Sequence, residues 1–314
     1  MISPAKLSIC IVGLGQIGGS LAKAFRNCGV GREIVGVDRD EDTARTAMKE
    51  RIVDAAFHDP EDAVRRRELV ILAVPVREIL RMIDPLSALM DDGAILLDVG
   101  STKRSVLAEM KLVEGRIACI GGHPMCGTEA VGLSASIETL FRGVPFVLVP
   151  SSKCKPGELS TVVDLVKQIG AKPLFLSAEN HDRIMATISH LPYVLAITLV
   201  RLCEELGADA QTAFELAAGG FLGATRLAES ESLMASDFCL TNPDNIDSAM
   251  TSFVKKAEEL LALSREGKAD ALFAVLNEAR LKRRALREAR QSQSEQPQSG
   301  QPLSGRSLSE GEGN

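Results

Sequence analysis

A short apolar run, Ile9-Cys10-Ile11-Val12, leads without a break into Gly13-Leu14-Gly15-Gln16-Ile17-Gly18-Gly19-Ser20 and then into a helical pattern. In that setting each glycine of the GxGxxG spacing has a task. Gly13 permits the tight turn, Gly15 lets the backbone approach a pyrophosphate, and Gly18 lets helix and strand pack closely; the helix opening at Gln16 and Ile17 then turns its N-terminus toward the phosphates. Asp38 ends the next strand 20 residues beyond Gly18, where a carboxylate accepts hydrogen bonds from both ribose hydroxyls. That carboxylate repels a 2′-phosphate and favours NAD, while Arg39 directly after it keeps NADP open as the alternative. Ala73-Val74-Pro75, at the end of a later strand, either walls the cofactor with Val74 and Pro75 or is an ordinary strand terminus.

From Lys6 to about Leu176, β-branched runs alternate with helical patterns, the signature of βαβ units and a doubly wound, mostly parallel sheet. Strands are expected near Leu7–Val12, Ile34–Asp38, Leu69–Ala73, Ala94–Asp98, Ile117–Ile120, Val144–Val149 and Pro173–Phe175. Helices fill the gaps at Gln16–Cys28, Glu41–Glu50, Val76–Leu89, Lys103–Lys111 and Gly157–Ile169. After Ser177, a plausible N-cap, strand signals vanish. Helical patterns at Ala178–Leu206, Ala208–Ala218, Leu222–Ser230, Pro243–Arg265 and Lys268–Arg290 follow, with Gly219-Gly220 as punctuation between them. The expected organisation is a dinucleotide-binding domain over 1–177, an all-α domain over 178–290 and a disordered tail over 291–314, whose Ser, Gln, Gly, Pro and Glu cannot offset the entropy of ordering. Several helices are apolar on more than one stripe, and a lone helical layer cannot cover itself, so a homodimer through this half is expected.

Bulk properties narrow the class. A net charge of −6 argues against a general nucleic-acid binder, and the basic run near Lys282 to Arg290 reads as a solvated helix end. Seven cysteines, odd in number and without CxxC spacing, suggest neither a disulfide framework nor a metal site, which fits a reducing cytoplasm. Met1 to Lys6 does not read as a signal peptide. The apolar stretch Leu191 to Val200 is interrupted by Pro192 and ended by Arg201, short of the roughly 20 residues a membrane helix needs, so no membrane partner is expected.

Two further loops fall at carboxyl ends of strands, where open α/β sheets bind ligands. One is Asp98-Val99-Gly100-Ser101-Thr102-Lys103; the other is Gly121-Gly122-His123-Pro124-Met125-Cys126-Gly127-Thr128-Glu129. A hydroxyl from one loop, at Ser101, and an imidazole from the next, at His123, are thereby expected to meet beside a bound nicotinamide. Alcohol oxidation by hydride transfer needs a base for the hydroxyl proton, and an imidazole titrating near neutrality suits that role. The bland alternatives are a loop histidine satisfied by backbone, and for Ser101 a helix N-cap. Cys126 reads as a small buried thiol or, more sharply, as an oxidation-sensitive group.

Taken together, the glycine motif at 13–20, Asp98 to Lys103, His123-Pro124-Met125 with Gly127-Thr128-Glu129, Ser189-His190-Leu191-Pro192, and Gly220-Phe221 with Thr225-Arg226 resemble the prephenate/arogenate dehydrogenase family of tyrosine biosynthesis. They occur in the family's order over about residues 6 to 290. The resemblance implies a Rossmann-type domain followed by a helical dimerisation domain. It implies NAD(P)-dependent oxidative decarboxylation of a cyclohexadienyl acid: prephenate to 4-hydroxyphenylpyruvate, or arogenate to tyrosine. It also makes His123 the catalytic histidine, Ser101 the serine that orients it and Arg226 the grip on a substrate carboxylate. His190 then lines the substrate pocket, and Thr128 and Glu129 shape side-chain recognition. Without it, Arg226 reads as a helix-surface partner of Glu229.

His181 and His190 are nine residues apart, which on an unbroken helix places them on opposite faces, so His190 is assigned to the pocket and His181, beside Asp182, to a structural or interfacial role. His58 has no supporting context. Two features depart from the family's pattern: Gly223 stands where an acidic residue is common, and the chain has no Trp. Competing readings are a β-hydroxyacid dehydrogenase of the 6-phosphogluconate type, of which Lys167-Gln168 is a faint echo, and a non-catalytic NAD-sensing regulator.

Overall fold

The computed structural model describes residues 3–127 and 130–294. Its framework alternates strands and helices: β1 (Ser8–Val12), α1 (Gln16–Asn27), β2 (Glu33–Val37), α2 (Glu41–Lys49), β3 (Ala55–Phe57), α3 (Pro60–Ala63), β4 (Leu69–Leu72), α4 (Val76–Leu89), β5 (Ile95–Asp98), α5 (Arg104–Val113), β6 (Ala118–Pro124), β7 (Pro145–Pro150), α6 (Pro156–Gln168) and β8 (Lys172–Phe175). The sheet runs β3-β2-β1-β4-β5-β6-β7-β8 and is parallel except between β6 and β7. The order reverses between β1 and β4, which opens a crevice at their carboxyl ends.

Continuous apolar strands follow from burial on both faces. In β1, Ile9 and Ile11 join the core with Leu21 and Phe25 of α1 and Leu165 of α6. Cys10 and Val12 point the other way, into a core with Ile79 and Ile83 of α4 and Val106 of α5. The sequence reading overlooked β3 and α3, since Ala55-Ala56-Phe57 is too short to show a period and gains its strand character only by pairing with β2.

The second half comprises α7 (Ala178–Met185), a π-helical turn at Ala186–His190, α8 (Leu191–Glu204), α9 (Ala210–Glu215), α10 (Gly219–Thr225), α11 (Ser232–Thr241), α12 (Pro243–Arg265) and α13 (Ala269–Ser294). Gly219 and Gly220 form the first turn of α10 rather than a break, and α11 was not anticipated. Its apolar residues face both α4 and the π turn, so no single stripe marks it. The helix α13 continues four residues past Arg290, and the remainder of the expected tail lies outside the described residues. By internal contacts the chain divides after Lys256; the second unit holds the end of α12 and all of α13.

The run Ala178–Glu204 corrects the sequence reading in one respect. Pro192 sits in the first turn of α8, where its missing N–H costs nothing, so the helix continues and is long and apolar enough to cross a membrane by length and composition. Only 28% of its apolar window is buried, although its first turns bury His181 and Asp182 against polar partners.

Candidate active site

The crevice at the switch point holds two adjoining cavities. The larger, about 580 Å³, is lined by Gly13, Gly15, Asp38, Arg39, His58, Val74, Pro75 and Arg77, among others. Gly13 adopts φ +94°, and a Cβ on Gly18 would lie 1.8 Å from the Gly13 carbonyl oxygen, so the tight turn and the close helix approach both require glycine. A Cβ on Gly15 would meet nothing within 4 Å, which leaves open space over the start of α1. Asp38 accepts hydrogen bonds from the Leu14 amide at 2.9 Å and the Asp40 amide at 3.0 Å. Its carboxylate is thereby fixed at the rim beside Arg39. His58, set aside on sequence grounds, lines this cavity too.

The inner cavity, about 290 Å³, is lined by Gln16, Ile17, Ser101, His123, Cys126 and Asp237, together with Val74, Pro75, Ser230 and Met234. His123 is the penultimate residue of β6, pairing with Val147 of β7. The glycines before it are dictated by packing: a Cβ on Gly122 would lie 2.6 Å from the Asp98 carbonyl oxygen, and one on Gly121 would lie 2.6 Å from Leu107. They let β6 close over the fully buried ion pair of Lys103 with Asp98. Burial pushes the Asp98 carboxyl up and the Lys103 ammonium down, and their mutual attraction opposes both shifts.

A polar chain runs back from His123. Its Nδ1 is 2.8 Å from His181 Nε2, and His181 Nδ1 is 2.7 Å from Asp182 Oδ1. Asp182 also accepts the Lys103 amide at 2.7 Å through Oδ1 and the Arg104 amide at 2.9 Å through Oδ2. It therefore caps α5 from another element. Burial works against its charge, but the bonds from His181 and from these amides outweigh that cost and hold its carboxyl below the ordinary carboxylate value. Burial, then the neighbouring His181, Lys103 and His190, hold the His123 imidazole well below the usual histidine value, so it is neutral near pH 7.

His181, not His190, thus contacts His123. The π turn between them spends more residues per turn than an α-helix and resets the phase on which the opposite-face argument relied. His190 is 1% exposed, stacks on Phe238 at 4.3 Å between ring centroids, and does not line either cavity. Burial first among its causes takes its imidazole down to about 4.

Ser101 is not the N-cap of α5; that position is Lys103. Its hydroxyl lines the inner cavity and has no hydrogen-bond partner, so it does not bond His123 in this chain. Arg226 begins an exposed 3-10 turn four residues before Ser230 and does not line the inner cavity. Thr128 and Glu129 lie outside the described residues. Gly223 faces open space, so sterics do not exclude an acidic residue there. Burial pushes the Cys126 thiol up to about 12, which removes the thiolate that an oxidation-sensitive role needs. Sequence reasoning missed Asp237, a buried carboxylate that accepts the Arg77 amide at 3.0 Å and touches both cavities. It lies on the unanticipated α11, so no motif could have flagged it.

A Rossmann-type crevice with a rim carboxylate and a neutral imidazole base at its inner end is the arrangement of a nicotinamide-dependent dehydrogenase. The family model for the prephenate dehydrogenase nucleotide-binding domain matches residues 21–174, and that for the prephenate dehydrogenase dimerization domain matches residues 177–278. The chain is 34% identical over 255 residues to a prephenate dehydrogenase of Lactococcus lactis, covering 80% of this chain and 70% of that protein. The structure of prephenate dehydrogenase from Aquifex aeolicus in complex with hydroxyphenyl propionate and NAD+ superposes with a TM-score of 0.84 at 29% identity, covering 90% of this chain and 98% of the other. Synechocystis arogenate dehydrogenase gives 0.78 at 27%, covering 89% and 100%. The chain belongs to the prephenate dehydrogenase family.

Proposed function

We propose that this chain is an NAD-dependent dehydrogenase that oxidatively decarboxylates prephenate to 4-hydroxyphenylpyruvate, arogenate to tyrosine, or both. The observation that carries the reading is His123: a neutral imidazole whose Nδ1 is committed to His181, lining a cavity continuous with the crevice over Gly13, Gly15 and Gly18. The open space over Gly15, the half-buried start of α1 and the fixed Asp38 carboxylate fit a dinucleotide. When bound, NAD supplies the hydride acceptor. Asp38 would hold the adenosine ribose, Val74 and Pro75 would wall the crevice beside Gln16 and Ile17, and Arg39 would flank the ribose.

The ring carbon that bears the hydroxyl gives up its hydride, His123 Nε2 takes the hydroxyl proton, and carbon dioxide leaves as the ring becomes aromatic. Because aromatisation drives the loss, the protein's work is positioning, proton removal and binding of two anionic ends. Ser101, whose hydroxyl is unpartnered within the inner cavity, is placed to bond that hydroxyl or the imidazole. Arg226 is assigned to a substrate carboxylate on the strength of the resemblance, and reaching the cavity requires movement of its turn or the second subunit. Thr128, Glu129 and His190 remain candidates for recognising the keto or amino side chain, His190 through its support of Phe238 rather than by lining the cavity.

We place the domain junction at residue 177 and assign dimerisation to the helices beyond it. Exposed Leu199 and Leu202 on α8, with Leu206 just past its end, are apolar surface a second copy would cover. The free thiols, with Cys10 and Cys119 buried, suit a reducing cytoplasm. The deciding assay is NADH or NADPH formation with prephenate and with arogenate, each with NAD and NADP. Turnover of neither acid, with dinucleotide binding intact, would leave the sensing-regulator reading in its place.

A further inference from the structure

We propose that the His181–Asp182 pair is a positioning device that sets the tautomer of His123, placing the proton on Nδ1 and the lone pair on Nε2 at the cavity. The inference rests on His123 being the base and goes beyond it by naming the residues that make it one.

The argument is a count of donors and acceptors. Asp182 already receives two backbone amide hydrogens, from Lys103 and Arg104, whose positions are fixed by the start of α5. Those bonds favour the ionised carboxylate, which can only accept. His181 Nδ1, 2.7 Å away, must then be the donor. A neutral imidazole carries one N–H, so His181 Nε2 is left as an acceptor, and the atom facing it at 2.8 Å, His123 Nδ1, must supply the hydrogen. One proton remains for each ring, and the lone pair of His123 falls on Nε2. The reverse order would need a protonated Asp182 against two amide donors, or an imidazolium at His181 with both ring nitrogens protonated, which proton–nitrogen correlation spectra would show directly. His181 and Asp182 are both fully buried, so water does not compete for these bonds.

The other polar groups around His123 do not disturb the count. Lys103 is engaged by Asp98. His190 Nδ1 lies 3.3 Å from Asn242 Nδ2, which also donates to the Asp182 carbonyl oxygen at 2.8 Å, so that histidine is an acceptor turned toward Asn242. The device also ties chemistry to architecture. The carboxylate that sets the tautomer is the cap of α5, the helix that follows the Ser101 loop, and it is carried by α7. The base is competent only when the first helix after the sheet is seated on α5.

The chain has four histidines, so two-bond proton–nitrogen correlation spectra of histidine-labelled full-length protein resolve each ring. In the wild type at neutral pH, His123 is expected as the Nδ1–H tautomer and His181 likewise. A His123 ring protonated on Nε2 would overturn the proposal without any activity measurement. In His181→Leu the His123 ring should shift toward the Nε2–H form, kcat should fall roughly 10²- to 10⁴-fold, and the NAD dissociation constant should be unchanged. In His181→Gln, whose side-chain oxygen can accept from Nδ1–H, most of the activity and the tautomer should return. Equal loss in both variants with an unchanged His123 tautomer would reduce the pair to packing. An inactive wild type with the expected tautomers would instead count against the dehydrogenase reading and leave the relay standing.

Discussion

The ammonium of Lys103 meets the carboxylate of Asp98 behind the strand that carries His123, and neither side chain is exposed to solvent at all. Removing one partner leaves an uncompensated buried charge, which costs about 3–5 kcal/mol. Asp98→Asn and Lys103→Met should each lower the unfolding free energy by that order. The double variant should lose less than the sum, because the second change relieves what the first exposed. Urea melts of the four proteins check this, and simple additivity would contradict it.

His123→Asn is expected to bind NAD as the wild type does and to lose kcat by about 10²- to 10⁴-fold. Because the imidazole is held well below the ordinary histidine value, by burial first, the acid limb of kcat/KM should lie clearly below pH 6.5. A limb at or above the free-imidazole value would show that the group controlling the rate is not this one.

Stability should fall on mild acidification. Unfolded imidazoles take up protons near pH 6.5, whereas folded His190 resists until about 4 and His123 is lowered in the same direction. Between those limits the unfolded state binds more protons, so this contribution is complete above 6.5 and is lost as pH drops, at roughly 1.4 kcal/mol per unit for each group. Replacing His190 by Gln should flatten the slope of unfolding free energy against pH across that window. A slope identical to the wild type would refute the assignment.

Asp38 should govern the choice of cofactor. Loss of a hydrogen bond to a charged group costs about 1.5–3 kcal/mol, so Asp38→Ala should weaken NAD roughly 10- to 100-fold. With the negative charge gone and Arg39 retained, NADP should lose far less or improve. Calorimetric titration with both dinucleotides measures this directly, and parallel losses would place the discriminating group elsewhere.

Leu202 is 55% exposed on α8. If a second copy covers this face, Leu202→Glu should convert a dimer into monomers by light scattering, with the far-ultraviolet spectrum unchanged. A wild type that is monomeric at every concentration would remove the dimer altogether.

Local chemistry made part of this molecule readable from its residues. Glycines at 13, 15 and 18 after an apolar strand, with Asp38 one strand later, constrain backbone within a few residues of themselves, and the structure has that turn and that rim carboxylate. Strands buried on both faces, as β1, β4 and β5 are, announce themselves as apolar runs; seven of the eight strands among the described residues were visible, the largely exposed β8 among them. The partners of the base were not. His181 was set aside because nine residues of ideal helix put it opposite His190, and a single π turn undoes that reckoning. Asp182 entered the sequence reading only as the neighbour of His181, and α7 settling on α5 is what gave it two amides and an imidazole to hold. Sequence by itself determined the sheet, its crevice and the imidazole at its edge, since these follow from neighbours along the chain. Only the tertiary structure decided which nitrogen of that imidazole is free, because hydrogen-bond partners 58 residues apart are chosen by packing and not by spacing.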